Sequence, residues 1–188
     1  TLLAMVDASI GGKNAINFKN YKNQIGLFSE PKSIIINPEF LKTLNKRDIY
    51  SGMAEIMKYA FIADESLMDL DIDNYLDFIK EAATIKDEIV NMDMKETGLR
   101  KILNFGHTIG HAVESYSLSQ GHSPLLHGEA IAIGFICEAY LSFKKNGLSQ
   151  ADLDETVAAI KAVYPAYDIK KESYPALLDI MKNDKKNS

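Results

Sequence analysis

Three of the four histidines in this chain lie close enough in sequence to share a metal ion. His107 and His111 are four residues apart, so on a helix both imidazoles would project from one face. His127 follows in the segment His127-Gly-Glu129, and Glu55 offers a carboxylate further upstream. Neutral imidazole is the commonest nitrogen ligand for zinc and similar divalent ions. The pattern predicts a catalytic metal site with one position open for water or substrate.

Each histidine taken alone has a simpler explanation, because a buried imidazole commonly hydrogen-bonds a carbonyl group. Three histidines with carboxylates nearby are hard to bury without a shared partner, so the cluster as a whole favours a metal. The spacing does not decide which of His107, His111 and His127 are ligands. The fourth histidine, His122, lies in a polar loop and is expected to face solvent.

Four cations form a second candidate group. Lys13, Lys58, Lys86 and Arg100 lie beside glycine, asparagine or apolar residues rather than in a solvated run of charges. Taken singly, each is better explained as an exposed surface residue. If they converge, they would bind a phosphorylated or carboxylated small molecule. Gly11-Gly12-Lys13 lacks the spacing of a Walker loop, and no glycine fingerprint for a dinucleotide follows a strand.

Composition excludes several classes of protein. The chain has 188 residues, is 46% hydrophobic and 25% charged, and carries a formal net charge of -5. These values are ordinary for a globular protein and give no support to nucleic-acid binding. No apolar segment has the length of a bilayer span, and no polybasic patch suggests a membrane surface. Cys137 is the only cysteine, so a metal must be held by nitrogen and oxygen. We expect a cytoplasmic protein without nucleic-acid or membrane partners.

The two ends of the chain suggest a piece of a longer protein. The chain begins with an apolar run, Thr1-Leu-Leu-Ala-Met5-Val, without an initiator methionine. It stops at Asp184-Lys-Lys-Asn-Ser188 without an obvious closing element. We therefore expect a fragment or an excised domain.

The spacing of apolar residues predicts a mainly α, multi-helical fold with short strands or loops at the N-terminus. In residues 1–36, the β-branched run over 33–36 predicts a strand. Helical spacing starts near Pro38, which suits a first helical turn. Ser149 is expected to cap a helix through Ala162. The other expected helices cover 47–61, 75–94, 100–116, a nearly all-apolar stretch from His127, and 174–182, with a loop over 117–126.

Several segments match, in order along the chain, the motifs of a known enzyme family. The segments are Asp7-Ala-Ser-Ile-Gly-Gly-Lys13, Lys22-Asn23-Gln-Ile-Gly26, Ser51-Gly-Met-Ala-Glu55-Ile-Met-Lys58, Glu96-Thr-Gly-Leu-Arg100, Asn104-Phe-Gly-His107-Thr-Ile-Gly-His111, His127-Gly-Glu-Ala and Met181-Lys-Asn-Asp-Lys-Lys186. Together they are far more specific than any one of them. The chain resembles the C-terminal part of the 3-dehydroquinate synthase family.

The resemblance implies a two-domain enzyme, with an α/β domain that binds NAD and a helical domain that binds metal and substrate. Residues 1–36 would lead in from a missing N-terminal NAD-binding domain, and 37–188 would form the helical domain. The cofactors implied are NAD and a divalent metal, Zn²⁺ or Co²⁺. The resemblance also implies a homodimer. We expect the chain alone to be inactive, because the NAD-binding domain is missing.

The resemblance also implies a role for individual residues. The implied metal ligands are Glu55, His107 and His127, which gives His111 a role in proton transfer or substrate hydrogen bonding instead. The implied catalytic residues are Glu96, His111 and Lys58. The implied substrate contacts are Lys13, Asn23, Lys86, Arg100, Asn104 and one of Lys185 and Lys186. The implied share of the NAD site is Asp7, Lys22 and Phe40 to Thr43.

The activity that the resemblance implies is the conversion of 3-deoxy-D-arabino-heptulosonate 7-phosphate to 3-dehydroquinate and phosphate, a lyase reaction of the shikimate pathway. A related sugar-phosphate cyclase with another substrate would keep the metal ligands but change the contacts to the carboxylate. Arg100 with Asn104 favours the substrate that carries a carboxylate. Two more distant alternatives are a metal-dependent alcohol dehydrogenase, which would lack the several cations, and a non-catalytic helical module, which would bind no stoichiometric metal.

Overall fold

The computed structural model describes residues 1–18, 21–121 and 123–182, and for residues 17, 18 and 21–24 it describes the backbone alone. Within these ranges the chain is mainly helical, which confirms the predicted fold class. The chain forms two compact units. The first contains residues 1–15 and 26–104, and the second contains residues 16–25 and those from 105 onward.

The extended pieces expected near the N-terminus form a hairpin of two strands, β1 (Lys13–Phe18) and β2 (Tyr21–Phe28). Asn14 ties the two open ends together, because its side-chain amide donates to the Gly12 and Ser29 carbonyls at 3.0 Å each. Ile25, Leu27 and Phe28 are exposed. A lone two-stranded hairpin with exposed apolar side chains is marginally stable in water.

The first unit is built on two long helices, α1 (Lys46–Ile62) and α2 (Ile79–Met92). Asn45 begins α1 by accepting a hydrogen bond from the Asp48 amide at 2.9 Å. Short turns of π- or 3₁₀-helix complete the unit at Ala4–Ala8, Pro38–Leu41, Glu65–Asp69 and Leu99–Asn104. The π-helical turn was not predicted, because nothing in its spacing distinguishes it from a loop.

Gly52 allows the N-terminal segment to lie directly on α1. A Cβ atom at this position would lie 2.6 Å from the Leu2 Cβ, which is too close for any larger residue. Leu2, Val6 and Met53 are completely buried at this contact. The approach places the turn that carries Asp7 against the helix that carries Glu55 and Lys58.

The second unit contains four helices in its described part: α3 (His107–Ser119), α4 (His127–Lys145), α5 (Gln150–Val163) and α6 (Tyr174–Lys182). The predicted starts at His127, after Ser149 and at Tyr174 are confirmed. Ser149 accepts a hydrogen bond from the Asp152 amide at 3.1 Å, as the capping pattern predicts. α3 packs against α4 and α6 around Ala112, Val113, Ala130 and Leu177.

The predicted continuous helix over 100–116 is wrong, because Gly106 interrupts it. Gly106 has a φ of +75°, a left-handed conformation that a right-handed helix cannot contain. The chain forms a 3₁₀ turn over Leu99–Asn104, and α3 begins only at His107. A Cβ atom on Gly134 would lie 1.9 Å from the Gly106 carbonyl oxygen. Two glycines therefore fix the close contact of α4 with the start of α3.

Two further predictions of secondary structure are wrong. Residues 33–36 do not form a strand, because no neighbouring strand pairs with them in the described part of the chain, and Ile35 is exposed. The helix predicted over 75–94 is shorter, at Ile79–Met92. Asn74 holds the preceding residues in turns, since its side chain accepts from the Asp71 amide and donates to the Asp69 carbonyl. Among the described residues, every helix is too short or too polar to cross a bilayer.

Candidate functional site

Asp7 lies at the centre of a buried charge cluster in the first unit. Lys58 donates to Asp7 Oδ1 at 2.9 Å and also contacts the carboxylate of Glu55. Lys86 lies 2.8 Å from Asp7 Oδ2 and donates to the Asp7 carbonyl oxygen at 2.6 Å. The Tyr59 hydroxyl donates to Asp7 Oδ1 at 2.8 Å. The structure thus brings together two predicted cations and two predicted carboxylates.

Burial and charge have opposite effects on these groups. Burial raises the pKa of Asp7, but the attraction of Lys58 and Lys86 outweighs it and holds the pKa below its usual value. Burial lowers the pKa of Lys58, but Asp7 and Glu55 raise it above its usual value. For Lys86 burial prevails, and the pKa is lowered. For Lys58, the attraction of the carboxylates thus outweighs the cost of burying the charge. For Lys86 the balance is reversed, so an additional anionic ligand would favour its charged form.

A second group in the first unit surrounds Glu96. Its carboxylate contacts the Lys13 ammonium and accepts from the Asn104 amide at 2.8 Å. Glu96 has a φ of +59°, which is rare for a residue with a side chain and is often found at functional sites. The structure therefore joins three residues that the sequence predicted as catalytic or substrate-binding.

Arg100 is a buried cation whose side-chain hydrogen bonds, in the described part of the chain, all go to carbonyl groups. Its side chain is 2% exposed and donates to the carbonyls of Met94 and Gly11, both at 2.7 Å. Its Nε atom has no hydrogen-bond partner in the described part of the chain. A buried guanidinium without a carboxylate partner favours binding of an anionic ligand.

The predicted histidine cluster forms in the second unit. His107, His111 and His127 each offer a ring nitrogen, and these atoms lie within 4.8 Å of one another. The ring centroids are 5.3 to 5.8 Å apart. His107 is buried, whereas the other two are half-buried. This arrangement can hold one metal ion.

Two of the imidazoles are oriented by hydrogen bonds on their Nδ1 atoms. His107 Nδ1 lies 2.9 Å from the Phe105 carbonyl oxygen, which can only accept, so this nitrogen carries the proton. His127 Nδ1 lies 3.0 Å from the Glu114 carboxylate. Each pairing leaves Nε2 as the nitrogen with a lone pair, which suits a neutral metal ligand. The donor set therefore fits a divalent metal.

Some predicted site residues are not tested by this geometry. The side chains of Lys22 and Asn23, and all of His122, Lys185 and Lys186, lie outside the described residues. Phe40 and Thr43 are exposed, at and just after the 3₁₀ turn of Pro38–Leu41. Asp7, predicted for the NAD site, is paired here with the two lysines.

Comparison with known proteins identifies the family. Residues 52–187 match the family model "3-dehydroquinate synthase C-terminal", and residues 1–51 match "3-dehydroquinate synthase N-terminal". The chain belongs to the 3-dehydroquinate synthase family. The resemblance noted in the sequence motifs is confirmed.

Curated relatives of the family span about twice the length of this chain. A 3-dehydroquinate synthase from Parabacteroides distasonis is 43% identical, and the alignment covers 100% of this chain and 55% of the relative. One from Thermoanaerobacter pseudethanolicus is 39% identical, with 100% and 55% covered. This chain therefore corresponds to about half of such a protein.

Solved structures of other sugar-phosphate cyclases share the fold. A 2-epi-5-epi-valiolone synthase from Streptomyces hygroscopicus, with NAD⁺ and Zn²⁺ bound, is 28% identical with a TM-score of 0.79, and 97% of this chain and 54% of that chain are covered. A 2-deoxy-scyllo-inosose synthase, complexed with carbaglucose-6-phosphate, NAD⁺ and Co²⁺, is 25% identical with a TM-score of 0.82, and the coverage is 98% and 54%.

The structure adds supporting residues that sequence reasoning missed. The Glu138 carboxylate accepts from the Gly106 amide at 2.7 Å and so caps the start of α3. Glu114 contacts His127, and Asp93 organises the loop before Arg100. Glu114 lies seven residues after His107 on the same helical face, a spacing that could have revealed it. For Asp93 the signal was the following Thr97-Gly98 turn, and for Glu138 we find none.

Asp93 shapes the loop that presents Glu96 and Arg100. Its carboxylate accepts from the amides of Thr97, Gly98 and Arg100 at 2.9, 2.7 and 3.1 Å. These bonds, with Thr97 first and Gly98 next, lower the pKa of Asp93 from 3.8 to about 2. The folded form thus binds the proton less tightly than the unfolded form. The contribution of the ionised Asp93 carboxylate to the stability of the fold is therefore complete above pH 3.8 and is lost as the pH falls through about 2.

We expect Asp93→Asn to loosen this loop without unfolding the protein. An amide offers one acceptor oxygen, so at least one of the three bonds is lost. Hydrogen exchange of the Thr97 and Gly98 amides at neutral pH should become about fivefold faster, while exchange in α1 stays unchanged. Asp154→Asn, on the exposed face of α5, is the control. Unchanged exchange at Thr97 and Gly98 would contradict this role.

Proposed function

We propose that this chain is the metal- and substrate-binding part of a 3-dehydroquinate synthase. The whole protein would use NAD and a divalent metal to convert 3-deoxy-D-arabino-heptulosonate 7-phosphate to 3-dehydroquinate and phosphate. The observation that carries the proposal is the cluster of His107, His111 and His127, whose ring nitrogens lie within 4.8 Å. Family membership and the buried cations of the first unit support it.

His107 and His127, through their Nε2 atoms, and Glu55, through its carboxylate, would hold the metal. The orientation of the imidazoles supports the first two ligands, and Glu55 follows from the family resemblance. A divalent metal held there would supply Lewis acidity to a hydroxyl or carbonyl group of the substrate. Zn²⁺ and Co²⁺ both suit a nitrogen and oxygen donor set. His111 would then hydrogen-bond the substrate or move a proton.

Bound NAD supplies the reversible acceptance of a hydride from the substrate. This chain would contribute Asp7, Lys22, Phe40 and Thr43 to that site. Phe40 and Thr43 are exposed and therefore accessible to a ligand. The rest of the NAD site would come from an N-terminal half like the one that completes the curated relatives.

The cations would hold the two anionic groups of the substrate. Arg100, buried without a carboxylate partner in the described chain, suits the substrate carboxylate or phosphate. Lys86, whose pKa is lowered by burial, would gain from the same kind of partner. Holding both ends of a flexible substrate keeps its reacting carbons in place through successive steps.

Glu96 is the proposed acid–base carboxylate, with Lys13 and Asn104 fixing its orientation. Its carboxylate, in contact with the Lys13 ammonium, would accept a proton from a substrate carbon or hydroxyl. Released phosphate can also accept a proton. The chain therefore needs few bases of its own.

A second candidate is a related cyclase that acts on a sugar phosphate without a carboxylate. The likeness in fold to 2-epi-5-epi-valiolone and 2-deoxy-scyllo-inosose synthases favours this class. Arg100 and the higher identity to 3-dehydroquinate synthases favour the first proposal. The homodimer and the cytoplasmic location implied by the resemblance remain predictions.

The experiment that tests the proposal compares substrates. The protein that includes the NAD-binding half is loaded with Co²⁺ and NAD, and phosphate release is followed with three substrates. These are 3-deoxy-D-arabino-heptulosonate 7-phosphate, sedoheptulose 7-phosphate and glucose 6-phosphate. Turnover of the first alone supports 3-dehydroquinate synthase, turnover of another supports the second candidate, and turnover of none contradicts both. The 188-residue chain alone should release no phosphate.

A further inference from the structure

We infer that Glu114 is the positioning residue of the metal centre, acting through His127. The inference rests on the proposed metal function. Glu114 lies on α3, seven residues after His107 and three after His111, so the three side chains share one face of the helix. Its carboxylate lies 3.0 Å from His127 Nδ1, on the neighbouring helix α4.

The contact is built into the interior of the second unit rather than formed at its surface. Glu114 is 7% exposed, and α3 and α4 are held at short distance by Gly110 and Gly134. A Cβ atom on Gly110 would lie 2.6 Å from Ile131 Cδ1 and 3.1 Å from the Ala130 carbonyl. The small residues Gly110 and Gly134 thus allow α3 and α4 to lie close enough for Glu114 to reach the imidazole of His127. A buried carboxylate needs such a partner.

The two imidazoles with defined Nδ1 partners are held in different ways. His107 donates to a neutral carbonyl, that of Phe105, whereas His127 meets a carboxylate. A carboxylate on Nδ1 fixes the tautomer and also makes Nε2 a stronger donor to a metal. Glu114 therefore fixes the ring orientation of His127 and strengthens its Nε2 atom as a donor to the metal. Removal of this carboxylate should weaken metal binding without changing any atom that touches the metal.

The test is a series of variants at residue 114, measured by metal affinity. Glu114→Gln keeps the shape and an acceptor oxygen but removes the charge, and Glu114→Ala removes both. Loss of such a partner typically costs 10- to 100-fold in metal affinity. We expect Co²⁺ affinity, measured by chelator competition on the purified protein, to fall about 10-fold in the first and about 100-fold in the second. Glu155→Gln, on the exposed face of α5, is the matched control.

Two further readouts separate positioning from folding. The visible spectrum of bound Co²⁺ should change in Glu114→Ala, because the orientation of His127 relaxes. The Tm of the metal-free Glu114→Gln protein should stay within about 3 °C of the wild type, a shift of under 1 kcal/mol. Glu114→Asp, whose shorter side chain can approach Nδ1 after a small shift, should recover part of the lost affinity.

Each outcome decides the inference. Wild-type affinity in both Glu114→Gln and Glu114→Ala would overturn it and leave the metal centre intact. A large fall in the Tm of the metal-free Glu114→Gln protein would assign Glu114 to folding and overturn the positioning role. A wild-type protein that binds no Co²⁺ would overturn both this inference and the proposed metal function. A graded loss with an unchanged metal-free Tm supports it.

Discussion

Replacing His107 with alanine is expected to remove the bound metal and to lower kcat by about 10³-fold. Polarisation by a metal contributes several kcal/mol to a transition state, and about 4 kcal/mol corresponds to about 10³-fold in rate. His107 is buried, and its Nδ1 atom is paired with the Phe105 carbonyl. Nε2 is therefore the ring nitrogen that would bind the metal, and alanine removes it. Metal per chain should be measured by mass spectrometry after dialysis, and phosphate release should be followed in the protein that includes the NAD-binding half.

His111→Ala is the matched control, because it tests which of the three histidines bind the metal. In the second unit the geometry alone admits all three histidines as ligands. The family resemblance instead selects Glu55, His107 and His127 and leaves His111 for the substrate. We therefore expect His111→Ala to keep about one metal per chain while kcat falls by about 10²-fold, the usual contribution of a general acid or base. Loss of metal from His111→Ala would contradict this ligand set and favour a three-histidine site.

The histidine cluster was predictable because two of its three members, His107 and His111, are close together in the sequence. A spacing of four residues on a helix places His107 and His111 on one face wherever the helix packs. His127 joins them because Gly110 and Gly134 bring α4 against α3, and the sequence shows those glycines without showing what they contact. The same glycine ambiguity explains why the break at Gly106 was missed. A left-handed glycine and a packing glycine look alike in sequence.

The cluster around Asp7 was less predictable, because its members are far apart in the chain. Lys58 follows Asp7 by 51 residues and Lys86 by 79, and no local period links them. Each lysine alone was better explained as a surface residue. The family motifs, rather than the spacing, singled out these positions. The pairing among them is a finding of the structure, because it depends on the approach of the N-terminal turn to α1 at Gly52.

Replacement of Lys58 with methionine is expected to destabilise the first unit by about 3–5 kcal/mol, because it removes the ammonium that Asp7 and the buried Glu55 share. Lys58 is 1% exposed and contacts Asp7 and Glu55, and Glu55 is fully buried. The change should also reduce turnover, since Lys58 is a proposed catalytic residue. The free energy of unfolding should be measured by urea denaturation of the metal-free protein at neutral pH. Under these conditions no metal can compensate the charge of Glu55.

Lys86→Met is the matched comparison for Lys58→Met, because both lysines contact the Asp7 carboxylate. Attraction raises the pKa of Lys58, whereas burial prevails and lowers the pKa of Lys86. Folding therefore favours the charged form of Lys58 and disfavours that of Lys86, so the loss of Lys86 should cost less stability than the loss of Lys58, while turnover still falls. Lys42→Met, in an exposed pair with Glu39, should change stability by under about 1 kcal/mol. Equal destabilisation by Lys58→Met and Lys86→Met would show that the two ammonium groups share the compensation of Asp7 evenly, and that Lys58 is not the principal counter-ion of the cluster.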